Sequence, residues 1–185
     1  MREEEGLSKK GKLETMPETM SPIIQKSECM TVSESIQFMK KLLEITGEMH
    51  ERGKLLNATL ENMQILPGKE NLKNSVLYVG FRAPEAAVMD HTRIGKQSDY
   101  YAITAIFYYC LTGRTISRLQ MFSTGIPDVS DVIYRNKISE NTSRILCKIL
   151  KKGLVHGLRD RYQSLKQMKE DLEKLEKCIK EEEER

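Results

Sequence analysis

Apolar positions recur at helical spacing in three stretches of the chain. Ile36, Met39 and Leu43, with Phe38, Leu42, Ile45 and Met49, form one broad apolar face. Thr31-Val32-Ser33-Glu34 ahead of them has the form of a capping box, and Arg52-Gly53 closes the run. The spacing predicts a first helix with His50 in its last turn, where a cation suits the helix dipole. Ser139 is expected to cap a second helix with Ile145, Leu146, Ile149 and Leu150 inward. Lys148, Lys151 and Lys152 then precede Gly153, which reads as its C-cap. Ser164 opens a last helix in which Leu165, Met168, Leu172, Leu175 and Ile179 follow 3-4-3-4 spacing. That stripe fits a coiled-coil seam or a face packed in cis. Two heptads are short for a coiled coil, which favours cis packing. Glu181 to Arg185 reads as a solvated charge run.

Tyr100 to Leu111 breaks the amphipathic pattern. It is apolar on every side apart from Thr104, and a helix hydrophobic all round is buried all round. Ser98-Asp99 is expected to cap this central post and Gly113 to end it. Between the first helix and this one, apolar residues fall in short runs. Leu55 to Leu66 suggests a loop and a small strand turned by Pro67-Gly68, and Ser75 to Phe81 a second strand. The fold class expected is mainly α, with a small hairpin near Met63 to Val79. Residues 1–21 are polar and read as a disordered lead-in. Their Gly6-Leu-Ser-Lys-Lys-Gly-Lys-Leu13 nearly matches a phosphate loop, but Leu13 replaces the needed hydroxyl and no strand precedes it. The expected organisation is lead-in 1–21, helical domain 22–176 and charged helical tail 177–185.

Composition narrows the function classes. A chain of 185 residues implies one domain with a real core. A net charge of +3, with Lys and Glu interleaved, gives no basic stripe and speaks against nucleic acid as a partner. The longest apolar run, Tyr100 to Leu111, falls short of the ~20 residues a bilayer needs. Glu3 to Glu5 disqualify the start as a signal peptide. A cytoplasmic protein without a membrane partner is expected. Cys29, Cys110, Cys147 and Cys178 form no Cys-x-x-Cys pair, so a zinc site is not expected. Cys110 and Cys147 read as small core hydrophobes. His50, His91 and His156 read as surface residues rather than ligands.

Two stretches, in order, carry a resemblance. Phe81-Arg-Ala-Pro-Glu-Ala-Ala87 is followed by Ser98-Asp-Tyr-Tyr-Ala102, and the apolar helix then ends Leu111-Thr-Gly113. Together with Arg161 ahead of the last helix, they resemble the second half of a eukaryotic-type serine/threonine protein kinase, of the kind bacteria also carry. The resemblance spans about Thr31 to Leu175. It implies the helical C-terminal lobe of that fold. Glu85 would pair with Arg161, Asp99 would accept backbone hydrogen bonds from the catalytic loop, and the apolar helix would be the scaffold.

The same resemblance marks what the chain lacks. Aligned on Asn62, Leu55-Leu56-Asn57 stands where the family has His-Arg-Asp, and Thr59 where it has Lys. Asn57 at the catalytic Asp position offers no basic carboxylate to orient a hydroxyl or take its proton. Asn62 matches the family's metal-ligand Asn. Asn74 is the best match to the Asp of Asp-Phe-Gly, and no Asp occurs between Asn62 and Asp90. A hard cation wants anionic oxygen, so Asn alone makes a poor Mg²⁺ site. No Gly-x-Gly occurs anywhere, and the ~30 residues ahead of the first helix cannot build a five-stranded nucleotide lobe.

The expectation is a truncated, catalytically inactive kinase-like domain, a relic or a binding module for an unknown protein partner. It has no catalytic residue and no cofactor. The alternative is an ATP- and Mg²⁺-dependent serine/threonine kinase completed by another chain or using a non-standard site. A third reading is a helical adaptor unrelated to kinases.

Overall fold

The computed structural model describes residues 29–56, 81–123 and 127–184. Among the described residues the fold is mainly α, with no strand. Its helices are α1 (Val32–Glu51), α2 (Pro84–Ala87), α3 (Lys96–Thr112), α4 (Arg118–Met121), α5 (Ser130–Arg135), α6 (Glu140–Leu154) and α7 (Leu165–Glu183). The expected hairpin near Met63 to Val79 lies outside the described residues.

The helix α3 is the post around which the rest assembles. It packs against α1 and α6, while α7 closes the bundle by packing against the same two, and α5 meets α3. From Tyr100 to Leu111 every residue but Tyr109 is buried. The helix starts earlier than its apolar run suggests. Gly95 is the N-cap, and Ser98 lies in the first turn, where its hydroxyl accepts the Gly95 N–H at 3.1 Å. Ser98-Asp99 therefore does not cap α3. At the other end Gly113 takes φ +67°, the left-handed backbone that glycine adopts without steric cost.

The amphipathic helices start where their caps place them. Thr31 and Glu34 form both halves of a capping box on α1. Ser139 and Ser164 accept from Thr142 and Gln167 to start α6 and α7. Met168, Leu172, Leu175 and Ile179 are buried against the bundle, so the stripe on α7 is packed in cis.

Two readings of chain ends are corrected. Gly153 does not end α6, which runs on to Leu154. A Cβ built on Gly153 would lie 1.9 Å from Thr104 Oγ1 and 2.5 Å from Thr104 Cβ. The glycine is there because α6 crosses α3 at this point with no room for a side chain. Nor is the charge run from Glu181 onward wholly solvated, since Glu182 is half-buried. Helix α7 continues to Glu183, and Ile179 is buried in it. Glu182 accepts the Ser139 N–H at 3.3 Å and the hydroxyls of Ser139 and Thr142. It thus places a carboxylate on the positive end of α6. Glu183 accepts from Ser33 at the start of α1.

Of the two cysteines read as core residues, Cys110 is buried, and burial pushes its thiol up to about 12. Cys147 is only half-buried. The short helices α2, α4 and α5 have no counterpart in the periodicity, because four to six residues are too few to show one. No helix is long and apolar enough to cross a membrane among the described residues.

Candidate functional site

The buried polar groups cluster where α2, the first turn of α3 and the loop ahead of α7 meet. Pro84 at the first position of α2 fixes φ for a helix start, and Glu85 follows it into the interior. Arg161 comes from the segment between α6 and α7 and is enclosed. Its Nη1 donates to Glu85 Oε1 at 2.7 Å and its Nη2 to Oε2 at 3.0 Å. The planar fork matches the carboxylate on both oxygens.

The remaining guanidinium donors also find partners. Nε reaches the Val155 carbonyl at 2.7 Å, Nη2 the His156 carbonyl at 2.9 Å, and Nη1 the Gln97 carbonyl at 3.3 Å. Ser98 donates a further bond to Glu85 Oε1 at 2.6 Å. Arg161 also stands 5.0 Å from the Tyr101 ring. A buried ion pair is unfavourable unless its hydrogen bonds are met, and here they are. For Glu85, burial raises the carboxyl pKa. The bonds from Arg161 and Ser98 and the Arg161 charge outweigh it, holding the group below the ordinary value of 4.5. Glu85 therefore stays ionised with both oxygens occupied, which suits a structural tie and not a proton-transfer base. Beside it, burial pushes the Tyr101 phenol far up, and its hydroxyl has no hydrogen-bond partner among the described residues.

A second buried carboxylate lies one residue on. Asp99 Oδ2 accepts the Leu56 N–H at 2.9 Å, and His50 Nε2 lies 2.7 Å from the same oxygen. Three parts of the chain thus meet on one oxygen: the end of α1, the loop after it, and the first turn of α3. The expectation that His50 is a surface residue is corrected, since its side chain is enclosed against Asp99 and edge-on to Tyr100. The last-turn position gave a reason for a cation there, but no local signal pointed to a partner 49 positions on. His91 and His156 are exposed, and His156 lies against Phe122.

The structure thus brings Glu85 to Arg161, and Asp99 to the backbone N–H of Leu56. Asn57, Asn62 and Asn74, which the resemblance sets at the base and metal positions, lie outside the described residues. Ser98 and His50 are partners that the sequence did not assign. Among the described residues, no three His, Cys, Asp or Glu side chains gather where a metal ion could be held.

A cavity of about 320 Å³ opens between the start of α1 and the ends of α5 and α7. Its polar lining is committed to the fold: Asn136 accepts the Val32 N–H, and Glu182 and Glu183 hold the starts of α6 and α1. A scan against models of known protein families, a search of curated proteins and a search of solved structures each return no match to this chain.

Proposed function

We propose that this chain is a helical lobe of the protein-kinase type that has kept the ties of the fold, has lost phosphotransferase chemistry, and works by binding another protein. The observation that carries the reading is the Glu85–Arg161 fork. Such a tie between an Ala-Pro-Glu segment and the start of the last helix is what the resemblance implies. The Leu56 N–H on Asp99 supports it independently, because that aspartate is the one expected to hold the catalytic loop. The stretch of α3 from Ser98 to Leu111, buried apart from Tyr109, supports it a third time.

The loss of chemistry rests on the sequence. Phosphoryl transfer depends on positioning and charge stabilisation. Asn57 has no carboxylate, no Asp follows Asn62 before Asp90, and no glycine-rich loop occurs. Calorimetric titration with ATP and Mg²⁺, run beside a radiolabel transfer assay, tests the reading. The expected result is no saturable heat and no transfer. Saturable micromolar binding that disappears in Asn62→Ala would revive the enzyme reading.

A further inference from the structure

The loop that follows α2 is built to be seen from outside. Pro84, Glu85 and Ala86 are buried, yet Val88 is 60% and Met89 71% exposed. Two large apolar side chains in sequence thus stand in solvent beside the buried, ion-paired Glu85. Their backbone is fixed. The Val88 N–H donates to the Pro84 carbonyl at 3.1 Å, and the Asp90 N–H to the Glu85 carbonyl at 2.9 Å. The N–H and hydroxyl of Thr92 both donate to Asp90 Oδ1, and the Arg93 N–H closes a turn on the Asp90 carbonyl. Met89 itself sits at φ +57°, a left-handed backbone that costs a non-glycine residue energy. A glycine there would be easier, and it would present nothing. A loop held this rigidly has little freedom to lose on binding.

Charge says what it meets. Arg93 in this loop and Lys96, the first residue of α3, are exposed and make no ion pair among the described residues. His91 is exposed beside them. The one acid of the loop, Asp90, is turned onto Thr92. The surface is therefore an apolar knob flanked by two cations and one acid, a rim in net positive charge that suits an acidic segment with apolar side chains. The other exposed apolar group is Leu119, Phe122 and Tyr134, with Arg118 exposed beside Leu119. Arg114 and Asp131 pair with each other there, and Phe122 is partly covered by His156.

We infer that Val88 and Met89 are the apolar anchor of a docking surface for an acidic protein segment, with Arg93 and Lys96 as its charged rim. The inference rests on the partner-binding reading and names the surface that serves it. The full chain is panned against a random peptide library displayed on phage, and enriched peptides are measured by fluorescence anisotropy.

Enriched sequences should combine Asp or Glu with large apolar residues, and their affinity should fall as salt rises. Met89→Asn removes the apolar group but tolerates the left-handed backbone, and it should weaken binding by about tenfold or more. Arg93→Glu combined with Lys96→Glu should abolish it, while Leu119→Ser should leave it unchanged. Thermal melts check that each variant is folded; the Arg93 and Lys96 pair changes exposed side chains only, so it tests the surface even where Met89→Asn disturbs the loop. Failure to enrich any peptide overturns the inference, as does enrichment of basic peptides. So does tighter binding of a single-stranded RNA oligomer. Acidic peptides indifferent to these variants also overturn the surface, while leaving the partner-binding reading intact. That reading falls separately, by ATP and Mg²⁺ binding.

Discussion

Gly153→Ala sets two opposing effects against each other on one helix. Alanine in a helix interior is favoured over glycine by about 1 kcal/mol. On propensity alone the substitution should stabilise α6. The new methyl group, however, would meet Thr104 Oγ1 at 1.9 Å and Thr104 Cβ and Cγ2 at 2.5 Å. Rotating Thr104 moves two of those atoms but not its Cβ, so the crossing helices must part. The threonine is also held, because its side chain is stiff at the first torsion and its hydroxyl donates to the Tyr100 carbonyl at 2.8 Å.

Overpacking costs ~1–3 kcal/mol, and this site belongs at the upper end. The net expectation is a loss of about 2 kcal/mol, the difference between overpacking and propensity. Urea denaturation followed by circular dichroism reads it as a lower midpoint at unchanged slope. Thr104→Gly removes the obstacle. In that background Gly153→Ala should be neutral or stabilising, a coupling of at least about 2 kcal/mol. A Gly153→Ala protein as stable as the parent would refute the close crossing of α6 and α3.

Three further outcomes are expected. Arg161→Ala strands a buried carboxylate and should cost ~3–5 kcal/mol in a thermal or urea melt, against under ~0.5 kcal/mol for the exposed Lys169→Ala. Glu85 has a lowered carboxyl pKa, so its contribution is full above the ordinary value of 4.5 and is lost as pH falls through its folded value. The stability gap between the parent and Glu85→Gln should therefore shrink in melts taken at successively lower pH; a gap that widens on acidification would reverse the assignment. Ile106 is enclosed on α3, and Ile106→Ala should cost ~2–5 kcal/mol through lost transfer energy and the cavity left behind.

The parts of the fold legible in the sequence are those that depend on one helix at a time. Thr31, Ser139 and Ser164 announce their helices because an N-cap is a local arrangement of side chain and backbone. The burial of Tyr100 to Leu111 is legible because no face of it is polar. What the sequence hides depends on which helix crosses which. Gly153 looks like a C-cap until Thr104 is seen against it. Glu182 looks solvated until α7 is seen to end at the start of α6. His50 carries no sign of Asp99. In the candidate site, Glu85 and Arg161 are 76 positions apart, beyond the reach of any periodicity. Only the order of the surrounding motifs linked them.

The pairing of α1 with α7 has a consequence for how the chain is made. The first described helix buries a face against the last, and α3 and α6 fill the space between them. On a ribosome α1 emerges while α7 is still roughly a hundred residues from being translated. At ~5–20 residues per second that interval is about 5–20 s. For that time the apolar face of α1, with Ile36, Met39, Leu42 and Leu43, lacks its last neighbour. Synthesis order therefore makes the nascent chain most exposed to aggregation and to chaperone capture just before Leu165 appears. Slowing translation after α6 should lengthen that window without altering the stability of the finished protein.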